Sequence, residues 1–239
     1  MKYIYGPVKS RRLGNSLGIS LTPYKVCSFD CVYCQLGKTT IKTSEIKEYV
    51  NLEEILQELK AFISNTDFKN TPVNYITLSG SGEPTLFLSI GKLISYIKKL
   101  VNIPIAVLTN SSLLHNIDVR RNLLSADLIV TTLNASSQTV FEKIHQTEEE
   151  IKLEEIINGL IALRREFKGK IYLEVMLIKG INDSVKEMER LKEIVNRIGP
   201  DKIQLVAPSR PPSQNWVKPP DLKTMKKIQE IFGERCEVF

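Results

Sequence analysis

What the sequence lacks narrows it quickly. No apolar run approaches the roughly 20 residues needed to cross a bilayer. The opening segment Met1-Lys2-Tyr3-Ile4-Tyr5-Gly6-Pro7 has no apolar core of the signal-peptide kind. A soluble, cytoplasmic protein with no membrane partner is the expectation. Glycine (12) and proline (11) are too few in 239 residues for a collagen-like or linker-dominated chain. Histidine is scarcer still, with only His115 and His145. Neither stands near a cysteine in sequence, and both are expected to face solvent or cap a helix.

What is present is ordinary globular composition: 42% hydrophobic and 25% charged residues, which excludes a largely disordered chain. The length suits one domain of medium to large size. Thirty-three Lys and Arg against 27 Asp and Glu leave a formal charge of +6. That excess is compatible with a nucleic-acid or phosphate partner and equally with a solvated surface.

Three of the four cysteines fall within eight residues, Cys27-Ser28-Phe29-Asp30-Cys31-Val32-Tyr33-Cys34, while Cys236 stands alone. A C-x3-C-x2-C loop in a chain without a secretory signal argues for metal or redox chemistry over a disulfide framework. A [4Fe–4S] cluster normally takes four cysteines, so three leave one iron open to an outside ligand. Zinc is the rival, since three thiolates plus a histidine complete a tetrahedral site; it would suit a zinc-stabilised module that binds RNA without catalysis. Cys236 is expected at the end of the last helix, remote from the loop.

Apolar periodicity alternates strands with helices. Strands are expected at Leu17–Leu21, Asn74–Leu78, Ile103–Thr109, Leu128–Leu133, Ile171–Ile178 and Ile203–Val206. Helices are expected through Leu52–Ile63, Ile90–Val101, Arg120–Leu124, Leu153–Ile161 and Met188–Ile198, with a last one from Asp221. Asn51 reads as one N-cap and Asn182-Asp183-Ser184 as another. Continuous apolar strands with helical crossovers predict an α/β fold with a parallel sheet. Six units are too few for the eight of a full TIM barrel, so a partial (β/α)6 barrel is expected, with a doubly wound sheet as the competing architecture. Residues 1–16 read as an N-terminal extension, 17–208 as the barrel core and 209–239 as a C-terminal loop and helix. In either architecture ligands gather at the C-terminal ends of the strands.

Several candidate residues fall at those ends. Ser79-Gly80-Ser81-Gly82-Glu83-Pro84 follows the second expected strand. Thr109-Asn110-Ser111 ends the third and Asn134-Ala135-Ser136 the fourth, as ligand contacts or as plain strand ends and caps. Glu174 interrupts an apolar strand and needs a partner. Val206-Ala207-Pro208 ends the sixth. Lys9, Arg11 and Arg12 precede the first strand and Arg210 follows the last, where across an open barrel they suit bidentate binding of phosphate or carboxylate.

The cysteine motif, with aromatic Tyr33 before its last cysteine, resembles the signature of the radical S-adenosylmethionine (SAM) enzymes. The resemblance implies a partial barrel, a [4Fe–4S] cluster on Cys27, Cys31 and Cys34, and SAM chelating the open iron. One electron from an external donor such as flavodoxin or ferredoxin would cleave SAM to methionine and a 5′-deoxyadenosyl radical that abstracts hydrogen from substrate. Ser79–Pro84 resembles the superfamily's Gly-Gly-Glu-Pro element. It marks Gly80, Gly82 and Glu83 for SAM, with Glu83 accepting from its ammonium, and Tyr33, Thr109, Asn110, Asn134 and Glu174 join the expected SAM pocket. Tyr5–Gly14, Cys34-Gln35-Leu36-Gly37, Lys179–Asp183 and Arg210-Pro211-Pro212 together are similar to the wyosine-base-synthase-like group, which implies a tRNA base as a possible substrate. Residues 1–26 lack the extra cysteines of the archaeal namesakes, and the chain leaves no space for the flavodoxin-like domain of the eukaryotic ones. A protein substrate, as for glycyl-radical activating enzymes, is the alternative within the same chemistry.

Overall fold

The computed structural model describes residues 1–67, 70–147 and 150–239. In chain order it contains β1 (Ile4–Ser10), β2 (Gly14–Ser20), the two-residue strands β3 (Val26–Cys27) and β4 (Ile41–Lys42), α1 (Leu52–Ser64) and β5 (Tyr75–Ser79). A short 3₁₀ turn (Pro84–Leu86) leads to α2 (Ile90–Leu100), β6 (Ile105–Thr109), α3 (Ile117–Leu123), β7 (Leu128–Thr132), α4 (Gln138–His145) and α5 (Leu153–Glu166). The chain closes with β8 (Lys170–Met176), α6 (Val185–Ile198), β9 (Lys202–Val206), α7 (Leu222–Phe232) and β10 (Cys236–Val238).

The main sheet runs β1-β2-β5-β6-β7-β8-β9-β10, parallel from β2 onward and antiparallel only between β1 and β2. The six expected strands are its centre, and the α/β partial barrel is borne out. Two edge strands were absent from the expectation. β1 carries Gly6-Pro7, which reads as a turn, and its register slips between Tyr5 and Val8; such residues belong to edges and bulges. β10 corrects the placement of Cys236, which starts a strand paired with Ile203 and is buried in the core.

The strand alternation explains the rest. Outward residues such as Ile105, Val107, Ile129, Ile171 and Leu173 join the large core beneath the helices, which contribute Leu59, Leu93, Ile97, Leu160, Leu163, Leu191 and Val195. Inward residues Ala106, Leu128 and Val130 pack with Leu13, so the β1–β2 turn plugs the bottom of the barrel. The helix starts obey capping chemistry: Asn51 accepts from Glu53 and Glu54, Ser184 from Glu187, and Asp221 from Thr224. The candidate residues that follow β5, β6, β7, β8 and β9 therefore share the open end. No helix among the described residues is long and apolar enough to cross a membrane.

Candidate active site

The cysteine loop leaves β2 and is clamped from three sides. Lys25 N donates to Ser81 O at 2.6 Å and Glu83 N to Val26 O at 3.2 Å, docking the Gly-rich turn on the loop's start. Asp30 N and Val32 N donate to His145 O and Ile144 O, both at 2.9 Å, and Gln214 N donates to Val32 O at 3.0 Å. A Cβ on Gly82 would run into Val26 O, and one on Gly80, at φ +113°, into Ser20 Oγ. Both glycines are thus required by contact between this turn and neighbouring backbone or side chains.

Glu83 is 2% exposed and bound on all sides. Its Oε1 accepts Thr85 N (3.0 Å), Thr85 Oγ1 (2.6 Å) and Thr109 Oγ1 (2.7 Å), and its Oε2 accepts Asn110 N at 2.7 Å. Burial raises its pKa, opposed by these bonds. The Glu83 carboxylate and the Thr109 hydroxyl tie the end of β5 to the end of β6. Asn134 is fully buried, accepts Met176 N at 2.7 Å and donates to Tyr33 Oη at 3.0 Å. Glu174 does have the partner it needed, the Arg12 guanidinium.

The thiols are free, and each sulfur has its own side-chain N–H neighbour. Lys25 Nζ lies 3.1 Å from Cys34 Sγ, His145 Nδ1 3.1 Å from Cys31 Sγ, and Asn110 Nδ2 3.5 Å from Cys27 Sγ. In the bare thiol state burial pushes Cys27 up to about 11, helped by the Glu83 charge. Burial and the neighbouring thiolates hold Cys31 well above its ordinary value. Among the described residues no three His, Cys, Asp or Glu side chains are placed to hold one metal ion. A four-iron cluster takes one thiolate per iron, so its ligands do not meet at a point. Three soft sulfurs, each with a hydrogen-bond donor and no ligating carboxylate, fit such a cluster.

His145 overturns its expectation as a solvent-facing or capping residue. It is 2% exposed, caged by Phe29 and Phe141 at 4.7 and 4.9 Å between ring centres. It also removes one ground against zinc, the want of a nearby histidine. Its second nitrogen answers that rival. Asn134 Oδ1 takes the Met176 N–H, so Asn134 Nδ2 is the group 3.4 Å from His145 Nε2. Nε2 is therefore the acceptor, and Nδ1 carries the hydrogen toward Cys31, which leaves it no lone pair for a metal. Burial keeps the ring neutral, its pKa lowered to about 3. The sequence reading gives Lys25 no role and His145 none beside the cysteines. The apolar spacing of Val140, Phe141 and Ile144 was the signal for α4 and for the inward face that His145 shares. His115 is exposed as expected.

A cavity of about 460 Å³ runs from the cysteine loop into the lumen. Tyr33, Cys34, Glu174, Val206, Ala207 and Pro208 line it, together with Lys9, Arg11, Arg12 and Arg210. The expected approach of the two chain regions across the barrel opening is present: Arg11 Nη2 is 3.5 Å from Ser209 Oγ, and Arg210 Nη1 donates to Gln35 Oε1 at 2.9 Å.

With this geometry in place, the comparisons identify the family. A family model described as the radical SAM superfamily matches residues 21–192. The protein "GTPase Obg" of Brachyspira hyodysenteriae is 43% identical over 99% of this chain, which spans only 34% of that relative's length. A UPF0026 protein of Methanocaldococcus jannaschii is 36% identical over 98% of this chain and 72% of its own. Among solved structures, Streptococcus suis SuiB bound to S-adenosylmethionine superposes with a TM-score of 0.68 at 14% identity, covering 93% of this chain and 50% of that one. The chain belongs to the radical SAM superfamily, whose cofactors are a [4Fe–4S] cluster and S-adenosylmethionine, and its relatives there include the UPF0026 proteins.

Proposed function

We propose that this protein is a radical SAM enzyme that abstracts hydrogen from a substrate bearing an anionic group, held in the barrel lumen beside the cysteine loop. The observation that carries the reading is the cavity that joins Tyr33 and Cys34 to Arg11 and Arg210. A bound cluster would supply the one-electron reduction, drawn from an external donor such as flavodoxin or ferredoxin, that cleaves SAM to methionine and a 5′-deoxyadenosyl radical.

The chain's own residues supply ligands, enclosure and charge. Cys27, Cys31 and Cys34 would hold the cluster, and three thiolates would leave one iron for SAM. Leu13 and the β1–β2 turn close the barrel bottom, which keeps solvent from that side. Tyr5 lies across Gly18, where a Cβ would strike its ring, and its hydroxyl pairs with Ser79 Oγ at 2.8 Å. Arg12 and Glu174 neutralise each other. Among the described residues Arg11 and Arg210 hydrogen-bond neutral partners, Ser209 and Gln35, so their charges stay available to a phosphate or carboxylate. The similarity of Tyr5–Gly14 and Lys179–Asp183 to the wyosine-base-synthase-like group favours a nucleotide phosphate on a tRNA as that anion.

Anaerobic reconstitution with iron and sulfide tests the reading. A brown protein that cleaves SAM under dithionite is expected, with both properties lost in Cys27→Ala, Cys31→Ala and Cys34→Ala. A parent protein that takes up no iron overturns it. For the substrate, Arg11→Ala and Arg210→Ala should each weaken binding of a tRNA transcript; unchanged binding sinks the assignment of these two arginines.

A further inference from the structure

The three cysteines share a pattern that cluster binding by itself does not require. Each sulfur is approached by the side-chain N–H of one residue, and the three residues come from three different places in the fold. Lys25 stands in the turn after β2, Asn110 at the end of β6 and His145 at the end of α4. Lys25 is 2% exposed and holds φ +56°, a backbone strain uncommon outside glycine. Its ammonium has the Cys34 sulfur as its hydrogen-bond partner, an unusual place to bury a cation unless negative charge faces it.

Orientation is determined at the other two. Asn110 Oδ1 accepts Ser112 N at 2.9 Å, so its amide nitrogen is the end that faces Cys27 and Ser28. The His145 hydrogen is directed at Cys31 by the contact of its Nε2 with Asn134. Asn134 therefore acts through His145 as a positioning residue, without touching a sulfur itself.

We propose that Lys25, His145 and Asn110 set the reduction potential of the cluster. Hydrogen bonds and positive charge at ligand sulfurs stabilise the more negative, reduced cluster and so raise its potential. Lys25, which brings a full charge, is the strongest of the three. The inference rests on the cluster reading above. That reading fails if the parent protein binds no iron, whereas this one is decided in the variants, once the parent is shown to bind it.

The test is an EPR-monitored redox titration of the anaerobically reconstituted protein. Lys25→Met, His145→Phe and Asn110→Ala should keep the parent iron content and shift the midpoint to more negative potential, Lys25→Met most. Lys25→Arg should return it toward the parent value. His145→Phe places a ring in the cage of Phe29 and Phe141, so the result does not hang on Lys25→Met folding. Midpoints unchanged in iron-replete Lys25→Met and His145→Phe overturn the proposal. So does a folded Lys25→Met or His145→Phe that binds no iron, which would make that residue a requirement for assembly and not a tuner.

Discussion

The Glu83 carboxylate reaches the end of the neighbouring strand, where its Oε2 accepts the Asn110 N–H at 2.7 Å. Because Asn110 also faces Cys27, this one carboxylate couples the Gly-rich turn, the end of β6 and the cysteine loop. In Glu83→Gln the new amide N–H₂ meets donors wherever it is placed, Asn110 N on one side or Thr85 N on the other. A buried donor is left unpaired, which costs about 1–3 kcal/mol. Urea unfolding should show that loss, together with reduced iron uptake. A variant as stable as the parent, with full iron, would show that the bond carries no weight.

Gly82→Ala tests the docking of the turn on the loop. No positive φ is involved at Gly82, so the penalty comes from collision of the new Cβ with Val26 O, which is backbone and cannot rotate away. Overpacking of this kind costs about 1–3 kcal/mol. A lower urea midpoint and poorer iron incorporation are expected. Gly37→Ala has open space around its Cβ, and its cost should come only from φ +81°. If Gly82→Ala unfolds with the parent, the turn has room to move and the clamp is not tight.

The legible parts of this protein were those where one local rule dominates. Six buried strands announced themselves as apolar runs, and the cysteine loop by spacing. β1 was hidden because Gly6-Pro7 interrupts a half-exposed edge, and β10 because three residues after Glu234-Arg235 carry no periodic signal. At the site, residue types pointed to the right place, but not to the hydrogen bonds that Glu83, Thr109 and Asn134 make with neighbouring strand ends and loops. A polar residue at a strand end looks the same in sequence whether it faces a ligand or a neighbouring loop. The places of Lys25 and His145 beside the sulfurs were hidden for a related reason: what they touch is decided by loops that meet only after folding.

Arg12 and Glu174 pair inside the lumen, with side chains 27% and 15% exposed. Arg12→Ala leaves the Glu174 carboxylate without its cation. A fully buried pair loses about 3–5 kcal/mol when broken this way, and partial exposure of Arg12 places the expected cost nearer about 1–3 kcal/mol. Glu174→Gln in the same background should recover part of it, since the stranded charge is gone. A double-mutant cycle by urea unfolding measures the coupling. Strictly additive effects would mean that the two side chains do not interact in solution.

Arg120 holds the loop after β6, which carries Ser111 and Ser112, by donating to Leu114 O at 2.8 Å and His115 O at 3.0 Å. Its other nitrogens grip Glu166 at 2.9 and 3.0 Å, and that bidentate hydrogen bond lowers the Glu166 pKa below the ordinary 4.5. A depressed carboxylate stabilises the fold fully above its unfolded value and loses that contribution as pH falls through the folded one. Glu166 is 33% exposed, so solvent screening keeps the contribution at no more than about 1 kcal/mol. Glu166→Gln should therefore be slightly less stable than the parent at neutral pH. The gap should shrink as pH drops below 4.5 and vanish once the parent's Glu166 is protonated as well. Urea midpoints of both proteins across that range decide it. A gap of constant size would assign the loss to packing around Arg120 instead of to charge.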